Sequence, residues 1–439
     1  MDMNETTLQV LDLNRQAAML IQVGNVDEAS KKLDQAIEID PMIPDTYRNY
    51  GDLYMVREDY AEAKNSYKKA ILIEKNGLYY FLYGNACFMT DDFHEGLKYY
   101  NLAVEAGYDD DEMMFFMGLA YERANDEMTA LRYYNKALLK NPSRPDYMVK
   151  QIEMMIRLED YENAEKAADE MIVVVPDNYE GYHYKTSLLL KREAFDEAVS
   201  FSKKAADKFP EDADLMYDYC NSLTLAGHMD DALSEISKAK RFKHYEESKR
   251  QFLLLEAEIY AEKGDFDSAK KACLACIESA DEFEQDARFL LMNLYVGNKE
   301  FESGYAIADQ LVQHHDENSF YYAAVFYRAI CLKELGKKEE SEALFRDASM
   351  LYRVLTLKNP DALDAYLYRA LCFKELAEYD RAMEILDFLD NLDVGIAETY
   401  LVRADIYDLK GMSAEAKAQR EKAAHLKPIL NLSDDEVDE

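Results

Sequence analysis

The sequence predicts an all-α chain in which about twelve antiparallel helix pairs stack into a solenoid, and three observations carry that prediction. The outline of GNVDEASKKLDQAIEIDP (24–41) returns along the chain, mostly at intervals of 34 residues. A small residue holds one position in every copy, and a proline closes several copies at the same point. Composition agrees, since 15 glycines and 8 prolines in 439 residues are too few for a fold built on tight turns.

The recurring stretch is the second helix of each pair. It returns as EDYAEAKNSYKKAILIEK (58–75), NDEMTALRYYNKALLKNP (125–142), EAFDEAVSFSKKAADKFP (193–210) and GMSAEAKAQREKAAHLKP (411–428). Each copy has a small residue, a usually larger one four further on and another small one three beyond that, all on one helical face. The first small position reads Ala29, Ala63, Gly96, Ala130, Ala164, Ala198, Ala232, Ala269, Gly304, Ser341, Ala382 and Ala416. Closely crossing helices leave no room for a side chain at the contact, so smallness there is a packing requirement.

The first helix of each pair lies upstream. In DTYRNYGDLYMVRED (45–59), Tyr47, Tyr50, Gly51 and Tyr54 make one apolar face with a small residue at its middle. EMMFFMGLAYERAND (112–126) repeats the pattern with Met114, Met117, Gly118 and Tyr121, and AETYLVRADIYDLKG (397–411) with Tyr400, Ala404 and Tyr407. Pro41, Pro142, Pro176, Pro210 and Pro428 stop the second helices. One pair cannot bury its own apolar face, and stacking copies does.

On these residues the chain resembles the tetratricopeptide repeat family, whose pattern runs aromatic, x2, Leu, Gly, x2, Tyr, then Ala, x3, Phe, Ala and finally Pro. Twelve units start near Val10, Pro44, Gly77, Asp111, Pro145, Tyr179, Ala213, Arg250, Gln285, Tyr322, Leu363 and Ala397. Units one to seven (1–246) keep regular register, and units eight to twelve (247–430) continue them with less regular spacing. The acidic tail SDDEVDE closes a segment (431–439) expected to be disordered. The chain has no tryptophan, the ninth unit puts Arg288 at the first aromatic position, and LYRVLTLKNPDA (351–362) reads as a lengthened second helix in the tenth unit. The resemblance implies a right-handed superhelix whose first helices line a concave surface.

It also implies ligand contacts one and five residues past the aromatic of each first helix. Those positions, with the stripe that extends them, nominate Arg48, Asp52, Phe81, Asn85, Phe88, Phe115, Leu119, Val149, Glu153 and His183 for an extended or helical peptide with apolar side chains. The same rings could instead pack between adjacent first helices. The carboxylate clamp of some family members is absent: only Asn49 falls on a clamp position, and the flanking sites are Asn14, Ala18, Leu78 and Leu82.

Charge narrows the partners. With 51 Lys plus Arg against 87 Asp plus Glu, a net charge of −36 repels nucleic acid and anionic membrane, and favours neutral to basic protein or peptide ligands. RFKHYEESKR (241–250) is the conspicuously basic exception and reads as a solvated helix end, with a docking point for an acidic partner as the alternative. No apolar run is long enough to span a bilayer, and the start carries no secretory pattern, so a cytoplasmic location is expected. Six sparse cysteines, with only Cys273 and Cys276 in a C-x-x-C, read as buried thiols. His314 and His315 have no further ligand spaced to join them, and no metal or cofactor is expected. Phosphate loops and nucleophile motifs are missing. The reading is a non-enzymatic scaffold that binds a peptide or protein segment. The alternatives are a ligand-responsive regulatory sensor and a self-assembling structural protein.

Overall fold

The computed structural model describes residues 5–242, 245–278, 284–313, 319–392 and 395–426. The tail 433–439, Pro428, the His314–His315 pair, and Lys243 and His244 of the basic stretch lie outside them. The described residues form twenty-four α-helices and no strand. One compact unit is Met1–Phe209 and a second is Pro210–Glu439.

The first unit holds six pairs: α1 (Glu5–Gln22) with α2 (Val26–Ile39), α3 (Pro44–Val56) with α4 (Tyr60–Ile73), α5 (Gly77–Phe88) with α6 (Phe93–Glu105), α7 (Asp111–Arg123) with α8 (Glu127–Lys140), α9 (Pro145–Arg157) with α10 (Tyr161–Val174), and α11 (Glu180–Lys191) with α12 (Phe195–Lys208). The second holds α13 (Ala213–Leu225) with α14 (Met229–Ala239), α15 (Tyr245–Glu262) with α16 (Phe266–Ile277), α17 (Glu284–Gly297) with α18 (Phe301–Gln313), α19 (Ser319–Glu334) with α20 (Lys338–Lys358), α21 (Leu363–Glu375) with α22 (Tyr379–Asn391), and α23 (Ala397–Leu409) with α24 (Ser413–Ala423). The ninth pair forms despite Arg288, which donates to Glu284 Oε1 at 2.9 Å through Nε and also reaches Gln310. The tenth unit's second helix is lengthened as its sequence indicates, to 21 residues.

Side-chain size decides how each pair closes. All twelve small positions of the second helices are buried. On the facing helices, Gly51, Gly84 and Gly118 lie under the rings of Tyr67, Tyr100 and Tyr134, where a Cβ would meet a ring carbon at 2.2, 2.4 and 2.4 Å. The three rings are at most 1% exposed. Glycine is thus the socket, and a tyrosine from the second helix fills it.

Backbone geometry marks the same twelve pairs independently. Every turn within a pair has one residue in the left-handed region: Gly24, Glu58, Asp91, Asn125, Glu159, Glu193, Gly227, Gly264, Lys299, Gly336, Ala377 or Gly411. The amide after it bonds a carbonyl five residues back, as from Asn25 to Leu20 at 2.8 Å and from Glu378 to Phe373 at 2.8 Å, which makes each turn a Schellman cap. The next helix starts at once, and Asp59, Asp126, Asp160 and Asp265 cap it with their side chains. Pro41, Pro142, Pro176, Pro210 and Pro360 each stand two residues past the end of a second helix, and Pro44 and Pro145 open first helices.

Within each unit, first helices of consecutive pairs touch: α1 meets α3, α5 meets α7 and α9 meets α11, and α13, α15, α17, α19, α21 and α23 meet in series. Second helices of consecutive pairs have no comparable packing among the described residues. In the first unit the Tyr79 hydroxyl also joins α5 to Asp45 of α3 at 3.1 Å and Phe115 of α7 stacks on Tyr147 of α9, so within each unit the first helices lie side by side in one layer.

Candidate peptide-binding surface

The nominated residues lie on the first helices α3, α5, α7, α9 and α11 of the first unit, and the structure sorts them into two groups. Phe81 and Val149 are 3% and 9% exposed. Phe81 stacks on Tyr108 with ring centroids 5.4 Å apart, and Val149 packs in a cluster with Ile152, Ala168 and Met171. These two spend their apolar surface on the stack and do not form an open shelf. Phe88, Phe115 and Leu119 are half-buried. Phe88 meets Phe93 edge-on at 5.2 Å, Phe115 stacks on Tyr147 at 4.5 Å, and Leu119 packs beside Tyr134 and Met154. Their remaining surface is reachable from solvent.

The polar candidates are held by internal bonds. Arg48 donates to Asp52 Oδ2 at 2.8 Å, and the Tyr67 hydroxyl donates to Asp52 Oδ1 at 2.8 Å. The Tyr100 hydroxyl donates to Asn85 Oδ1 at 2.8 Å. Glu153 accepts from Lys150 at 2.7 Å and from the Tyr184 hydroxyl at 2.9 Å. His183 is half-buried with its ring edge-on to Tyr184, centroids 5.6 Å apart. Burial, reinforced by the neighbouring carboxylate, pushes the phenols of Tyr67 and Tyr184 well above the ordinary tyrosine value, so both stay protonated donors.

The socket tyrosines thus have two tasks. The ring fills the glycine socket, and the hydroxyl reaches past it to fix the residue that follows the glycine, Asp52 or Asn85. The fourth pair, α7 with α8, carries Leu119 there, and Tyr134 instead donates to Glu122 Oε2 at 2.6 Å. Sequence reading missed these bonds, although the spacing of 15 residues in Asp52–Tyr67 and Asn85–Tyr100 is a detectable signal. It also missed the buried amide ladder in which Asn49 donates to the Asn14 carbonyl at 3.1 Å and Asn14 donates to Thr46 at 2.9 Å. That ladder joins α1 to α3 and takes Asn49, 1% exposed, out of reach of a ligand.

Elsewhere, all six cysteines are buried free thiols. Among the described residues, no group of three or more His, Cys, Asp or Glu could hold a metal ion, and no helix is long and apolar enough to cross a membrane.

Comparison with known proteins gives partial matches. A profile of the Iml2/Tetratricopeptide repeat protein 39 family matches residues 217–369, and tetratricopeptide repeat profiles match 44–76 and 364–387. Anaphase-promoting complex subunit 3 of Schizosaccharomyces pombe is 25% identical over 158 residues, 34% of this chain and 23% of that protein. Human Tetratricopeptide repeat protein 13 is 34% identical over 83 residues, 19% of this chain and 9% of that protein. The chain spans less than a quarter of the length of either relative. The crystal structure of yeast Tom70 aligns over 96% of both chains, with 14% identity and a TM-score of 0.45.

Proposed function

The chain belongs to the tetratricopeptide repeat family, and from that membership we propose that it is a non-enzymatic scaffold that holds a peptide or protein segment along the first helices of its first unit. One observation carries the reading. The Asn85 carbonyl oxygen is occupied by Tyr100, while its amide NH2 has no hydrogen bond to any described residue. A fixed, solvent-reachable donor on a helix face suits a peptide carbonyl. Half-buried Phe88 and Phe115 beside it suit apolar side chains, and Arg48, Asp52, Glu153 and His183 edge them. Phe81 and Val149 support this face from below.

The net charge of −36 selects neutral to basic ligands and makes their binding weaken with salt. The test is a phage-displayed peptide selection on the full chain, followed by affinities for wild type and Asn85→Ala, with melting curves to verify folding. Losing one hydrogen bond should weaken the selected peptides by about 10-fold. Peptides that bind both proteins equally would place the site elsewhere.

A further inference from the structure

A cleft of about 540 Å³ opens in the second unit between α20 and α22, with α21 as its floor. In a chain of net charge −36 its charged lining is reversed: Arg353, Arg369 and Arg381 face it with a single carboxylate, Glu384. Arg381 pairs with Glu378 at 2.6 Å. Arg353 and Arg369 make no ion pair among the described residues, and Arg369 Nε is buried without a hydrogen-bond partner. Burial, with the Arg353 and Arg381 guanidiniums nearby, pulls the Arg369 pKa below its ordinary value. A buried donor without an acceptor is costly, and neighbouring like charges add to the cost.

The walls are aromatic. The Phe373 ring lies 5.6 Å from the Arg369 guanidinium and 5.2 Å from that of Arg381, and Tyr366 packs against Phe388 with centroids 5.1 Å apart. Met350, Leu357 and Phe388 stand at the rim 61%, 74% and 44% exposed. Other second helices, such as α2 and α14, run 14 and 11 residues, whereas α20 runs 21, so Arg353 and Leu357 stand in its added turns. The lengthening builds one wall of the cleft.

We propose that this cleft docks an acidic peptide segment of a partner protein, with carboxylates on Arg353 and Arg369 and an adjacent apolar side chain against Tyr366, Phe373 and Phe388. Charge complementarity selects the acid. The apolar rim selects a peptide over a free anion, and Glu384 repels a dianionic phosphate more than a carboxylate. The site is separate from the peptide surface of the first unit and opposite in charge preference.

The probe is a fluorescein-labelled peptide alternating glutamate and leucine, titrated into the full chain by anisotropy at low salt. Arg353 is exposed, so Arg353→Gln and Arg353→Glu should fold with unchanged unfolding midpoints. Binding should weaken at least 10-fold in Arg353→Gln and vanish in Arg353→Glu, and a glutamine–leucine peptide should compete at least 10-fold less well. Equal affinity in all three proteins, or equal competition by the neutral peptide, overturns the proposal. So does displacement by inorganic phosphate combined with unchanged affinity in Phe388→Ser, which would leave a free-anion site. Binding seen only after deletion of residues 427–439 would make the chain's own acidic end the occupant. A concentration-dependent rise in mass abolished by Arg353→Glu would seat a second copy there. Either result excludes a separate partner.

Discussion

Gly51, Gly84 and Gly118 are helical glycines retained for space, because each has a tyrosine ring where its side chain would stand. Gly84→Ala should therefore cost about 1–3 kcal/mol, as overpacking of a closed core does. Gly297→Ala is the control: nothing lies within 4 Å of its Cβ position, and alanine's helix propensity should leave stability unchanged or raise it by up to about 1 kcal/mol. Urea unfolding midpoints of the two variants decide this, and equal effects would mean that the ring swings aside. The small positions were readable because packing restricts residue type directly. The tyrosine bonds to Asp52 and Asn85 were not, because a polar residue on a half-exposed face reads equally well as a ligand contact.

At the scale of the helix pair, five of the twelve left-handed turn residues are glycine, and the others, from Glu58 to Ala377, occupy the same conformation with a Cβ. A left-handed residue with a Cβ costs roughly 1–2 kcal/mol, part of which glycine returns in unfolded-chain entropy. Ala377→Gly should then stabilise by about 0.5–1 kcal/mol and Gly336→Ala should destabilise by a similar amount. Both are measured by thermal or urea unfolding, and a destabilising Ala377→Gly would refute the turn geometry. Helix number, order and ends were readable here, since prolines and small residues act locally. For Phe81 and Val149 the sequence leaves open a shelf or packing between first helices, because the choice depends on first helices of different repeats meeting side by side. The arginine cleft was hidden for the same reason: Arg353, Arg369 and Arg381 come from three successive helices and meet only once these are stacked.

For the whole chain, proton and charge balance set the conditions in which the fold is strongest. Burial pushes the thiols of Cys87, Cys220, Cys273 and Cys331 up to about 12, from an ordinary value of 9.0. The folded chain keeps these protons where the unfolded chain releases them, so their contribution is complete below about pH 9 and is lost as pH rises toward 12. Buried Tyr67, Tyr100 and Tyr134 shift in the same direction, which adds to the alkaline loss. The carboxyls of Glu258, Asp286 and Asp364, raised by burial, favour the fold below the ordinary carboxylate range and lose that contribution as pH climbs through their raised values. Asp92, Asp146 and Asp265 are lowered by hydrogen bonding, so they favour the fold above that range. Toward alkaline pH the thiols, the phenols, the raised lysines Lys64, Lys238 and Lys333 and the net charge of −36 all act against the fold. Urea midpoints should therefore fall from pH 7 to pH 10, with native thiols slow to react with an alkylating reagent at pH 8. Salt separates stability from recognition. Shortening the Debye length from about 30 Å at 0.01 M to about 10 Å at 0.1 M should raise the melting temperature by screening like charges, while weakening a basic peptide on the first unit. A melting temperature that falls with salt would show that the surface ion pairs outweigh the net repulsion, and the charge-based choice of partner would lose its basis.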